Sequence, residues 1–169
     1  MPHMDAVEQL EFLETPGVLM RIAVVRPDGA PLVTPIWFIH RDASIYFTPR
    51  EKSEWFACLR ADPRVSLCID EQPPPYRKVL IDGTAELVHD IGVDDEWRDL
   101  YRAIAQRYVG TEAGNAYVDN TIDQPRGLYR VTLADSKVRN WRMPVDDEGA
   151  MGIWHDRYYQ PGTDFGGRG

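Results

Sequence analysis

Between Val18 and Thr48 three β-forming segments follow one another across short turns, and that spacing commits this part of the chain to antiparallel pairing. Parallel neighbours need a crossover of about a dozen residues or more, which neither Arg26-Pro27-Asp28-Gly29 nor His40-Arg41-Asp42-Ala43 can supply. The first turn has its own mechanism, since proline presets one φ angle and glycine accepts a positive one. The flanking segments, Val18 to Val25, Pro31 to Ile39 and Ser44 to Thr48, are rich in the residues that suit a pleated, half-buried surface.

The same pattern returns at Arg64 to Asp70, at Arg77 to Val88 after the Pro73-Pro74-Pro75 run, at Gly127 to Leu133 and at Lys137 to Trp141. Helical spacing interrupts it three times. Val7, Leu10 and Leu13 place one face on a helix from Asp5 that Thr15-Pro16-Gly17 stops. Trp55, Phe56 and Leu59 do the same within Pro49 to Ala61, and Trp97, Leu100, Tyr101, Ile104, Ala105 and Tyr108 within Asp94 to Tyr108. The pattern predicts a mainly β fold, a small antiparallel barrel of about six strands with three helices. With 169 residues it is expected to be one domain over 1–169, with an N-terminal helix within 1–15 and a C-terminal tail over 143–169.

Charge narrows the partners. Nineteen basic against 27 acidic residues leave a net charge of −8, which disfavours binding to nucleic acid or to a membrane surface. No apolar run approaches the ~20 residues of a bilayer span, and Met1 to Glu14 lacks the layout of a signal peptide. Cys58 and Cys68 in apolar surroundings suit a reducing compartment, so a cytoplasmic location is expected. No metal site is expected, because His3, His40, His89 and His155 lack ligand spacing. Neither Gly-x-Ser-x-Gly nor Cys-x-x-Cys occurs, and no side chain stands out as a general acid or base.

Two segments carry candidate chemistry. In Thr48-Pro49-Arg50-Glu51-Lys52-Ser53 a strand ends and a helix begins, bringing two cations, two hydroxyls and free N–H groups together as a phosphate dianion requires. A solvated strand end with Ser53 as an N-cap explains the same residues more simply. In Val33-Thr34-Pro35-Ile36-Trp37 the proline cannot donate a ladder hydrogen bond, which implies an edge, a bulge, or a planar ligand alongside. Lys78 beside Arg77, and Trp141 between Arg139 and Arg142, are further cations and rings at strand ends.

Taken in order, Pro31 to Phe38, Ile45 to Thr48, Asp62-Pro63-Arg64-Val65-Ser66-Leu67 and Arg77 to Glu86 resemble the pyridoxamine 5'-phosphate oxidase-like superfamily, the flavin-binding split barrels. The resemblance implies a six-stranded antiparallel split β-barrel that dimerises, with flavin mononucleotide (FMN) in grooves at the dimer interface. It implies that the Val33 to Trp37 strand runs along the flavin ring through backbone groups, and that Thr48 to Ser53 holds the phosphate. Lys78 and Trp141 would reach the cofactor as well. The implied activity is a flavin-dependent oxidoreductase acting on a small molecule, with a reductase using the deazaflavin coenzyme F-420 as an alternative. Arg77, Lys78 and Arg139 would then line a path for its acidic tail. A non-catalytic flavin or haem module is a third reading, with His155 as the candidate axial ligand. In the oxidases proper an Arg-Lys pair opens the helix where Glu54-Trp55 stand here. His155-Asp156-Arg157 is similar to their substrate-binding His-Asp-Arg, yet Ile153 replaces the arginine expected before it, which argues against pyridoxamine 5'-phosphate oxidation itself.

Overall fold

The computed structural model describes residues 2–145 and 148. His155 and most of the 143–169 tail fall outside them. Helix α1 (Ala6–Glu14) leads into β1 (Met20–Val25), β2 (Pro31–Ile36), β3 (Ile39–Arg41) and β4 (Ser44–Phe47). Then come α2 (Glu54–Ala61), β5 (Arg64–Asp70), β6 (Lys78–Thr84) and β7 (Glu86–His89). A 3-10 turn at Asp94–Trp97 opens into α3 (Arg98–Val109), followed by α4 (Thr111–Asp119), β8 (Leu128–Thr132) and β9 (Lys137–Trp141). Every strand pair is antiparallel. One sheet runs β2-β1-β5-β6-β9 and the other β3-β4-β8-β7.

Period-two alternation puts the core between the sheets. Met20, Ile22 and Val24 of β1, Val65, Leu67 and Ile69 of β5, and Val79 and Ile81 of β6 all point inward and are buried. Ile45, Phe47, Tyr129 and Val131 meet them from the second sheet. Each such side chain contributes roughly 1.5–3 kcal/mol through burial. A smaller cluster, Trp97, Tyr101, Ala105, Val118 and Leu128, joins α3 and α4 to the outside of the second sheet.

Three expectations need correction. The strand count among the described residues is nine rather than about six, because two of the seven β segments read from the sequence each break to serve both sheets. Pro31 to Ile39 breaks at Trp37-Phe38, where the Phe38 N–H donates to the Tyr108 hydroxyl at 3.1 Å instead of to a strand. Arg77 to Val88 breaks at Ala85, whose N–H donates to the Pro63 carbonyl at 2.8 Å. The helix count rises from three to four α-helices because Thr111–Asp119 also folds as one. Its Gly114 lies so close to α3 that a Cβ there would sit 2.7 Å from the Gln106 backbone nitrogen. Finally, α1 buries Phe12 and Leu13, while Val7 and Leu10 are exposed at 65% and 44%. Residues three apart drift by about 60° per step around a helix, so Val7 and Leu13 do not share a face.

Candidate functional site

At the open end of β2 lies a cleft of about 520 Å³, walled by Pro35, Ile36 and Trp37, by Thr48, Arg50, Ser53 and Trp55, and by Tyr101, Ile104 and Tyr117 from the helical pair. Its volume is that of a small-molecule site. Strand β2 pairs with β1 alone, Pro35 opposite Arg21, so the proline stands on a sheet edge where no ladder donor is missed. The Trp37 ring stacks on Tyr108 at 5.1 Å and meets Tyr117 at 5.1 Å with a 59° tilt, which fixes the indole as part of the wall.

Arg50 enters the cleft from an isolated bridge to Arg126, in which the Glu51 N–H donates to Pro125 and the Gly127 N–H to Pro49. This bridge juxtaposes two guanidinium groups. Arg50 Nη2 donates to the Tyr117 hydroxyl at 3.0 Å, and Arg126 Nη2 to the same oxygen at 3.5 Å. Arg126 also donates to the Thr48 carbonyl at 3.2 Å and lies 4.5 Å over the Tyr101 ring. It is 6% exposed, and its Nε has no hydrogen-bond partner. Arg21, Arg26, Arg60, Arg77, Arg130, Arg139 and Arg142 are each ion-paired with a carboxylate. Among the described residues Arg50 and Arg126 have no carboxylate at ion-pair distance, and only the Asp94 carboxyl acts on the Arg126 charge from further off.

The Ser53 hydroxyl donates back to the Arg50 carbonyl at 2.7 Å and does not cap α2, contrary to the simpler reading of that serine. It secures the Arg50 turn instead. Burial pushes the Tyr117 phenol up, but the Arg126 charge, a Tyr101 hydrogen bond and the Arg50 charge outweigh it and hold the group below its ordinary value. Burial pushes the Tyr101 phenol up to about 12. The Asp94 carboxyl is raised, mainly by burial, and receives the Arg126 backbone N–H.

Of the residues singled out in the sequence, Pro35, Ile36, Trp37, Thr48, Arg50 and Ser53 line this cleft. Pro49 is buried beneath it, and Val33 and Thr34 lie further along β2, Val33 with 60% exposure. Lys52 is exposed in a neighbouring hollow with Glu51, Asp123 and Gln124. Lys78 and Trp141 face each other across β6 and β9, Lys78 Nζ 5.7 Å from the ring centre. Neither lines the cleft, and β9 is the edge of the sheet opposite β2. Sequence reading missed Arg126, Tyr117 and Tyr101. The signal for Arg126 was a cation between Pro125 and Gly127 at a strand start; Tyr101 gave none beyond helical apolar spacing, and Tyr117 lies in a helix the sequence reading did not assign.

No curated protein matches the chain significantly. Among solved structures it is similar to the conserved hypothetical protein Rv2991 from Mycobacterium tuberculosis, with 24% identity and a TM-score of 0.67 over 88% of this chain and 94% of that one. A protein named F420 Reductase shares 27% identity, with a TM-score of 0.56 over 75% and 94%. A FAD-binding protein (mll6688) from Mesorhizobium loti shares 22% identity, with a TM-score of 0.58 over 82% and 95%. Proteins described as storing or binding haem share the fold too, at 16% and 18% identity. The family model of pyridoxamine 5'-phosphate oxidase matches residues 7–140, most of the chain, and agrees with the paired antiparallel sheets and the motif order: the chain belongs to the pyridoxamine 5'-phosphate oxidase family.

Proposed function

We propose that this protein binds flavin mononucleotide in the β2 cleft and is a flavin-dependent oxidoreductase for a small-molecule substrate. The observation that carries the reading is the Arg50–Arg126 pair, two cations without a salt-bridge partner aimed at one end of an aromatic-walled cleft. Thr48 and Ser53 add hydroxyls there, while Pro35, Ile36 and Trp37 offer the ring backbone and apolar contacts. Bound in this way, the flavin supplies the hydride chemistry and the protein supplies orientation and electrostatics. The active form in this reading is a homodimer, in which Val33, 60% exposed on the open β2 edge, becomes covered.

Coenzyme F-420 is the second reading, favoured by the 27% identity to the protein named F420 Reductase. Against it, two cations of the tail path are already neutralised, Arg77 by Glu71 and Arg139 by Asp82. The haem reading rests on His155, which lies outside the described residues. The absorption spectrum of freshly purified protein separates flavin, deazaflavin and haem. Fluorescence titration of the apoprotein then tests the phosphate anchor. FMN is expected to bind best, the adenine dinucleotide less well, and riboflavin on the order of 100-fold or more weaker than FMN for two lost charge-assisted contacts. Equal affinity for riboflavin and FMN overturns the anchor.

A further inference from the structure

The Tyr117 hydroxyl oxygen receives Arg50 Nη2 at 3.0 Å and Arg126 Nη2 at 3.5 Å. Guanidinium groups only donate, so both bonds use the phenol's lone pairs and its own O–H must find an acceptor elsewhere. The Tyr101 hydroxyl, shared with Thr121 at 3.3 Å, also lies beside it, but its hydrogen bond lowers the Tyr117 phenol and so donates to that oxygen rather than accepting from it. The O–H is left to an anionic oxygen in the cleft, the better acceptor. We propose that Tyr117 is the specificity-determining residue of the anion end of the cleft. Its oxygen holds Arg50 and Arg126 together while its O–H turns to the ligand, so that three donors converge on a tetrahedral phosphate dianion. A carboxylate, planar and singly charged, leaves one of the two cations uncompensated. This assignment rests on the flavin reading for its natural ligand, a terminal phosphate monoester, but the anion site itself does not require the ring.

The mechanism has a pH signature, because the phenol donates only while protonated. The groups that face it are Arg50 from the turn ahead of α2, Arg126 from ahead of β8, Tyr101 from α3 and the Trp37 ring from the end of β2. Arginine does not titrate in the accessible range, and Tyr101 is pushed up to about 12. Tyr117, held below the ordinary tyrosine value, therefore loses its proton first as pH rises. The resulting phenolate pairs with both arginines and excludes the phosphate.

Inorganic phosphate, FMN and riboflavin are titrated against the purified protein and its Tyr117→Phe variant, read by tryptophan fluorescence. Phenylalanine keeps the ring that packs on Trp37, so the wall is preserved. Phosphate and FMN binding are expected to weaken on the order of 10-fold, as for one lost hydrogen bond to a charged group, with riboflavin unchanged. The parent's phosphate affinity is expected to fall as pH is raised towards the ordinary tyrosine value of about 10, and the variant's to stay flat there. Unaltered phosphate binding in Tyr117→Phe, or the same alkaline fall in both proteins, overturns the proposal. Should the variant not fold, a parent phosphate affinity independent of pH over that range overturns it alone. If neither flavin binds while phosphate still depends on Tyr117, the cofactor reading fails and this assignment stands; FMN preferred over riboflavin without Tyr117 dependence is the reverse.

Discussion

Arg126→Met separates an arginine kept for a ligand from one kept for the fold. Arg126 is 94% buried with no ion pair, so the native protein bears the cost of a desolvated charge, several kcal/mol in general, and of an unbonded Nε, about 1–3 kcal/mol. Methionine removes both. It also forfeits the bond to the Thr48 carbonyl, about 1.5–3 kcal/mol, the longer bond to the Tyr117 hydroxyl, and the contact over Tyr101, about 1–2 kcal/mol. These terms nearly offset, and the expected net change lies within about 1–2 kcal/mol of zero. At ~2–4 °C per kcal/mol for a chain of this size, Tm should move by only a few degrees. Arg77→Met is the control. Arg77 is paired with Glu71, whose side chain is 8% exposed, and lies 4.9 Å from the Phe12 ring centre. Its removal strands a buried carboxylate at a cost of about 3–5 kcal/mol, or roughly 6–20 °C. Differential scanning calorimetry measures both, and FMN titration should show Arg126→Met weakened on the order of 10- to 100-fold. A Tm loss in Arg126→Met as large as in Arg77→Met refutes the reasoning, because Arg126 would then be holding the fold.

Three further outcomes are expected. Gly114→Ala should destabilise by about 1–2 kcal/mol in urea, because a Cβ 2.7 Å from the Gln106 backbone nitrogen costs more than the ~1 kcal/mol gained in helix propensity; a stabilised variant refutes the close α3–α4 approach. Tyr108→Phe removes the acceptor of the Phe38 N–H and the donor to the Val18 carbonyl at 2.9 Å, and urea unfolding should show a loss of about 1–3 kcal/mol. Arg64, through its side chain and backbone N–H, holds the Asp62 carboxyl at about 2 against an ordinary 3.8. That depressed value means the contribution is present above about pH 4 and lost as pH falls towards 2. The urea midpoints of the parent and Asp62→Asn, separate near neutrality, should converge there.

The sequence by itself determined the features that depend on near neighbours. The Arg26 to Gly29 turn, the alternation of β1, β5 and β6, and the Asp62-Pro63 stop after α2 follow from local φ preferences and period-two burial, and β9 falls on the residues read for it. Only the tertiary structure decided where long segments break, because the partners are remote: Ala85 leaves β6 for the Pro63 carbonyl, and Phe38 leaves β2 for a hydroxyl on α3. The candidate site divides in the same way. Thr48, Arg50 and Ser53 were legible because strand end, turn and helix start are contiguous. Arg126 and Tyr117 were not, since Tyr117 is 67 residues from Arg50 and meets it only when α4 packs on α3. Lys52, two residues from Arg50, carries the same charge yet lines only the adjacent hollow, whereas Arg50 stands between that hollow and the cleft and lines both. Residue type determines which groups can hold an anion; the direction in which each points is a property of the folded backbone.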